Sequence, residues 1–337
     1  MNLQPVRERS DVALARRSVR RHAESARLHP DIIDRIEIVV SEGAANFIRH
    51  ANGGEMLCGP NRQHNPTSFD IAFIDRGPGI ARVERALEDG YSTIGGLGQG
   101  LGAMRRLADD FDLFSKQDVG TTIATRFFVS RDRSASPHRD VSHDRVGFVV
   151  PMPGQDVSGD GVCFATTETG QDRILVCDGL GHGPAAHDAS KKAIEIFGQC
   201  GDRSVADTVG AIDSGIAGTR GVVALVVEME AARYPAIAAV GVGNIAGQIV
   251  APQRTRHIVS FDGTLGRGAR KIERLVYDDL EWRAVILATD GIRMRWNLDD
   301  YPGLLSRSPL TIAATLWRDF NRGTDDSGIA VVRWRGE

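Results

Sequence analysis

The stretch Arg131–Asp144, RDRSASPHRDVSHD, offers only Ala135 and Val141 for burial. A segment of that composition cannot offset the entropy lost on ordering, so it cannot sit in a core. It divides the chain into two bodies, residues 1–130 and 145–337, joined by a polar linker over 131–144. The full length of 337 residues suits two domains, and an apolar content of 42% gives each its own core. A formal charge of −3 argues against nucleic acid or an anionic membrane as the main partner. Cys58, Cys163, Cys177 and Cys200 are scattered, with no C-x-x-C spacing, and read as buried thiols in a reducing compartment. Residues 1–11 carry no signal-peptide core, and the longest apolar run, Val222–Val227, is too short to span a bilayer. A cytoplasmic protein is expected.

Periodicity predicts helices over Asp11–Leu28 and Asp31–Ala51. The second carries Ile32, Ile36, Val40, Gly43, Phe47 and His50 on one stripe, with Glu42 and Asn46 one turn apart on its edge. Strands are expected around Glu55–Cys58, Phe69–Asp75, Phe111–Ser115 and Thr121–Val129, with a short helix over Arg82–Glu88. Helices over a small mixed or antiparallel sheet make an α+β sandwich. Beyond the linker strands dominate, interrupted by helices at Pro184–Gly198, Val205–Ile216 and Thr311–Phe320. This pattern suits two sheets face to face with helices outside.

Three pieces of the first half have complementary chemistry. The Asn46 amide oxygen is a hard ligand for Mg²⁺, and the Glu42 carboxylate one turn away can orient or deprotonate an attacking hydroxyl. Asp75, at a strand end, can accept from an adenine amine, while Gly77 and Gly79 let a base approach the backbone. The loop containing Gly95, Gly96, Gly98, Gly100 and Gly102 opens a helix, where backbone N–H groups and the helix dipole suit phosphate. No apolar strand leads into this loop, which excludes a Rossmann fingerprint, and no Gly-Lys-Ser/Thr follows, which excludes a P-loop. Arg49, near Glu42 and Asn46 on the same face, could touch phosphate, but a local ion pair is expected ahead of that.

In the second half Asp160, Asp178, Asp290 and Asp326 sit at strand ends beside glycine or polar residues. Two carboxylates about 4 Å apart repel by roughly 4 kcal/mol at an effective dielectric near 20. Converging carboxylates therefore imply cations, and all-oxygen donors imply Mg²⁺ or Mn²⁺. A pair of such ions about 3.5–4 Å apart suits an in-line phosphoryl displacement.

The first half resembles the GHKL (Bergerat-fold) ATPases, and among them the anti-sigma-factor and switch serine/threonine kinases. The resemblance rests on Glu42-x-x-x-Asn46, Asp75-x-Gly77-x-Gly79, Gly98-Gln99-Gly100-Leu101-Gly102 and Gly120-Thr121-Thr122. It implies a Bergerat-type α/β sandwich that binds ATP and Mg²⁺. Glu42 would be the general base, Asn46 the Mg²⁺ ligand and Asp75 the adenine contact. Gly77, Gly79, Gly96, Gly98, Gly100 and Gly102 would line the pocket, with Thr121 near the base. The implied substrate is a STAS-type anti-sigma antagonist or a stressosome-like protein.

The second half resembles the SpoIIE-type branch of the PPM metal-dependent phosphatases, through its aspartates and through Gly241-Val242-Gly243-Asn244 and Gly263-Thr264-Leu265-Gly266. That implies an α-β-β-α sandwich with two Mn²⁺ or Mg²⁺ ions and a water nucleophile. Asp178 would bridge the ions, the Gly179 carbonyl and Asp160 would hold one, and Asp290 with Asp326 the other. Asp325 is the alternative to its neighbour Asp326. His182 would act on the leaving group or cap a turn. Together the two resemblances imply a bacterial partner-switching regulator in which a kinase module is fused to a phosphoserine/phosphothreonine phosphatase, with a sigma factor or another switch protein as a further partner. The alternative is a nucleotide-gated anti-sigma module without kinase activity that controls the fused phosphatase.

Overall fold

The computed structural model describes every residue except 62–66, 88–99, 130–142, 230–235, 270, 279–280 and 335–337. The chain folds as two compact units. Unit 1 comprises Met1–Arg139 with Asn297–Arg318, and unit 2 comprises Asp140–Trp296 with Asp319–Glu337. Most of the expected linker lies outside the described residues, and its last two positions, His143 and Asp144, already belong to a strand. No described helix is long and apolar enough to cross a membrane.

Unit 1 begins with strand β1 (Asn2–Val6), then helices α1 (Arg9–Ser25) and α2 (Pro30–Asn46). Strands β2 (Gly54–Asn61) and β3 (Ser68–Ile74), the short helix α3 (Val83–Ala86), helix α4 (Gly100–Leu107) and strands β4 (Asp110–Lys116) and β5 (Gly120–Phe128) follow. The strands form one antiparallel sheet in the order β1-β2-β3-β5-β4. Pro30 occupies the first turn of α2, where its missing N–H costs nothing, and His29 caps that turn by accepting from Asp31 N at 3.3 Å. Arg20 on α1 donates to Glu37 on α2 at 2.8 Å.

The expected stripe is the buried one: Ile32, Ile36, Val40 and Phe47 pack with Met56, Phe69, Ile71, Phe73 and Phe127. Gly43 lets α2 lie this close, since a Cβ there would stand 2.2 Å from Phe73 Cε1. His50 departs from the stripe and is exposed. After Asn46 the helix widens into a π turn over Phe47–Ala51, which changes the angle per residue and rotates position 50 outward. In the sheet, fully buried Asp70 accepts from Arg126 Nε at 2.9 Å, Asn61 Nδ2 at 2.9 Å and Ser68 Oγ at 2.8 Å.

Unit 2 contains β6 (His143–Val150), β7 (Asp160–Thr166), β8 (Asp172–Gly179), α5 (Pro184–Gln199), α6 (Val205–Gly215), β9 (Val222–Met229) and β10 (Ile237–Val242). The chain continues through β11 (Ala246–Val250), β12 (Thr255–Ile258), β13 (Leu275–Tyr277), β14 (Ala284–Ala288), helix α7 (Pro309–Phe320) and β15 (Ser327–Trp334). Two sheets result, ordered β13-β10-β9-β8-β7 and β12-β11-β14-β15-β6. Side chains alternate across a strand. Ile174 and Val176 accordingly enter one core with Ile249, Val285, Leu287 and Val332. Leu175 and Cys177 enter another, with Ala189, Ala193 and Phe197 of α5 and Val209 and Ile212 of α6.

Helix α7 was expected to cover unit 2, yet it is grouped with unit 1 up to Arg318. It is buried from Pro309 to Arg318. Within unit 1, Asp112 on β4 accepts from Ser308 N at 2.6 Å and Thr311 Oγ1 at 2.7 Å. Thr315 Oγ1 donates to Thr122 Oγ1 on β5 at 3.0 Å, and Lys116 Nζ lies 4.7 Å over the Tyr301 ring.

Candidate functional sites

In unit 1 the first turn of α4 stands against the edge of α2. A Cβ on Gly100 would lie 3.1 Å from Glu42 Oε2 and 3.4 Å from Asn46 Oδ1. Glycine at 100 therefore brings the helix start up to both polar groups. Arg35 of α2 anchors the far end of α4, donating through Nε to Leu107 O at 2.8 Å and through Nη2 to Asp109 at 2.8 Å. Gly102, in the same helix, is buried. Gly96 and Gly98 lie outside the described residues. Arg49 is exposed on the π turn, and no ion pair joins it to Glu42.

Asp75 follows β3. Its Oδ1 accepts from Gly77 N at 2.9 Å and Thr121 N at 3.2 Å, and its own N–H donates to Thr121 O at 2.9 Å. Among the described residues nothing donates to Oδ2. Burial pushes the Asp75 carboxyl above its ordinary range, against the two N–H groups, Arg318 and His50. The loops around it are drawn tight by glycine. A Cβ on Gly77 would meet Ala51 Cβ at 2.8 Å, and one on Gly79 would meet Lys116 O at 2.5 Å. Gly120 has φ 137°, and a Cβ there would fall 2.0 Å from Asp75 O. Thr121 thus stands beside Asp75. Its hydroxyl pairs with Ser115 Oγ at 2.9 Å, and Ser115 also accepts from Ile80 N at 2.7 Å. Sequence reasoning missed Ser115 because nothing distinguishes it from any serine on a strand.

In unit 2 the antiparallel register sets Asp160 at the start of β7 opposite Asp178 near the end of β8. A cavity of about 560 Å³ is lined by Asp178, His182, Asn244, Asp262, Asp290 and Asp325, among others. Burial and then the charges of Asp290, Asp325 and Asp326 push the Asp178 carboxyl up to about 7. Burial and Asp178 push Asp160 up as well, against the hydroxyl of Thr289, which donates to Asp160 Oδ2 at 2.6 Å. Gly179 is packed so closely under α5 that a Cβ would meet Ala186 O at 2.3 Å.

Asp325 lines the cavity, whereas Asp326 is buried with both oxygens engaged by the backbone. Asp326 Oδ1 accepts from Met152 N and Oδ2 from Gly159 N, each at 2.7 Å. Asp326 therefore ties down the segment leading into Asp160, and the cavity position belongs to its neighbour. Asn244 and Thr289 touch the expected aspartates and were assigned no role from sequence. Asn244 lies within a recognised motif, and Thr289 directly precedes Asp290.

The cavity carboxylates present oxygens, and their mutual repulsion is what a hard divalent cation relieves. Among the described residues no three His, Cys, Asp or Glu side chains form a metal cage. An open, carboxylate-lined cavity suits ions that keep several water ligands, as Mg²⁺ does.

Residues 6–127 match the histidine kinase-like ATPase domain family. The serine/threonine-protein kinase RsbT of Bacillus subtilis is 38% identical over 89 residues, covering 26% of this chain and 67% of RsbT. The anti-sigma F factor of Clostridium beijerinckii is 30% identical over 133 residues, covering 37% of this chain and 92% of that protein. A solved chain from work on the bacterial stressosome, a modular system adapted to control secondary messenger signaling, aligns with a TM-score of 0.51 at 23% identity. It covers 57% of this chain and 99% of its own length, and it shares the fold.

Proposed function

This chain belongs to the histidine kinase-like ATPase family of RsbT and the anti-sigma F factor, and we propose that it is a bacterial partner-switching regulator with two opposed activities. Unit 1 is an ATP-dependent serine/threonine kinase. Unit 2 is a Mn²⁺- or Mg²⁺-dependent phosphoserine/phosphothreonine phosphatase. Both act on a STAS-type anti-sigma antagonist, or on two members of one cascade that ends at a sigma factor.

The kinase reading rests on Gly100 standing against Glu42 and Asn46. Glu42 would take the proton of the attacking hydroxyl, Asn46 would hold Mg²⁺ through its amide oxygen, and Asp75 Oδ2 would accept from the adenine amine. Thr121 fixes Asp75, and the glycines at 77, 79, 96, 98, 100 and 102 admit base and phosphates to the backbone.

The phosphatase reading rests on the shared cavity of Asp178, Asp290 and Asp325, with Asp160 in register behind Asp178. Asp178, Asp160 and the Gly179 carbonyl would hold one ion, and Asp290 with Asp325 the other. When bound, two such ions lower the pKa of water and offset phosphoryl charge. His182, exposed on the cavity wall, hands a proton to the leaving serine or threonine oxygen.

Two assays test the halves separately. Transfer of label from γ-labelled ATP to a STAS-type protein should disappear in Glu42→Ala, while nucleotide binding persists. Nucleotide binding without transfer in the unaltered chain would leave the gating module instead. Mn²⁺-dependent hydrolysis of a chromogenic phosphate ester should disappear in Asp178→Ala, and hydrolysis unaffected by that change would refute the metal centre.

A further inference from the structure

Among the described residues, the wall of the acidic cavity contains one side-chain amide, that of Asn244. Backbone geometry fixes its place. The chain leaves β10 at Val242, and Gly243 turns with φ 92°, where a Cβ would lie 2.2 Å from Val223 Cγ1. The Gly243 N–H donates to Phe261 O at 2.8 Å, which holds the bend. Asn244 follows, exposed, and its Nδ2 donates to Asp290 Oδ2 at 2.9 Å. An ionised carboxylate only accepts, so the amide must turn its nitrogen, not its oxygen, toward Asp290.

The other cavity carboxylates, Asp178, Asp262 and Asp325, cannot take over this task, because none donates when ionised. The last torsion of an aspartate is broad, so an unanchored Asp290 would present either oxygen at a range of angles. The amide pins one oxygen and leaves the other to face a cation. We propose that Asn244 is a positioning residue whose amide orients Asp290 for divalent-ion binding in the cavity of unit 2. This inference rests on the phosphatase reading of that cavity.

Loss of an outer partner of a metal ligand typically weakens metal affinity by about 10–100-fold. The test uses the full chain, stripped of metal and titrated with Mn²⁺ in a calorimeter. Asn244→Ala and Asn244→Leu should both weaken Mn²⁺ binding by about tenfold or more. Leucine keeps the bulk, so agreement between the two assigns the loss to the hydrogen bond. Because Asn244 is exposed, the thermal midpoint of the metal-free protein should not move. The Mn²⁺ concentration for half-maximal ester hydrolysis should rise by the same factor. At saturating Mn²⁺, kcat and substrate KM should return to within about twofold of the unaltered chain. Unchanged Mn²⁺ affinity in both variants, or a kcat deficit that saturating Mn²⁺ does not repair, overturns the proposal. An unaltered chain that binds no Mn²⁺ and hydrolyses no ester refutes the phosphatase reading itself.

Discussion

Replacing Asp75 with asparagine should remove the preference for adenine without unfolding unit 1. Oδ1 already serves the fold, accepting Gly77 N at 2.9 Å and Thr121 N at 3.2 Å, and an amide oxygen can keep both bonds. Oδ2 becomes an NH₂ group, a donor facing the donor it is proposed to bind. A hydrogen bond to a charged group is worth about 1.5–3 kcal/mol. At about 1.4 kcal/mol per decade, its loss weakens ATP by roughly 10–150-fold. Burial has already raised the Asp75 carboxyl, so this carboxylate lacks solvation and gains from a ligand N–H, which places the expected loss toward the upper end. The assay is titration of fluorescent ATP and GTP analogues into the unaltered chain and D75N at fixed Mg²⁺, with thermal midpoints measured alongside. ATP should weaken by the stated factor, GTP by much less, and the midpoint should hold within a few degrees. A folded D75N that binds ATP within about threefold of the unaltered chain would show that Asp75 does not read the base.

Gly120→Ala should abolish nucleotide binding and lower the urea midpoint, because φ 137° and a Cβ 2.0 Å from Asp75 O both oppose a side chain. Arg126→Met should destabilise unit 1 by about 3–5 kcal/mol in urea unfolding, since it removes the Arg126 counter-charge from the fully buried Asp70 carboxylate. The metal-stripped protein should lose stability as pH rises from about 4 to about 7. Asp178, raised from 3.8 to about 7, keeps in the fold a proton that the unfolded chain releases, and the urea midpoints of D178N should lack that part of the decline.

Sequence patterning located most elements because the apolar stripes are regular. The stripe from Ile32 to Phe47 and the alternation of Ile174–Cys177 both became core. Strand β1 was not legible: Asn2, Gln4 and Pro5 carry no alternation, and only pairing with β2 makes them extended. The π turn after Asn46 was equally hidden, since Phe47–Ala51 continues the helical composition. At the sites, residue type gave the chemistry but not the direction of each side chain. Asp325 and Asp326 are chemically identical, and only backbone direction decides which faces the cavity. Asn244 could be seen in its motif, but its bond to Asp290 joins residues far apart in the chain.

Residues 297–318 are remote in sequence from the body they complete. A polypeptide ending near position 130 would be made without the strap that satisfies Asp112 and covers Thr122. The remaining fragment would carry that strap with nothing to fasten to. Failure of the first fragment to bind its ligand would then reflect a torn fold, and truncation there could not distinguish catalytic dependence from mechanical incompleteness.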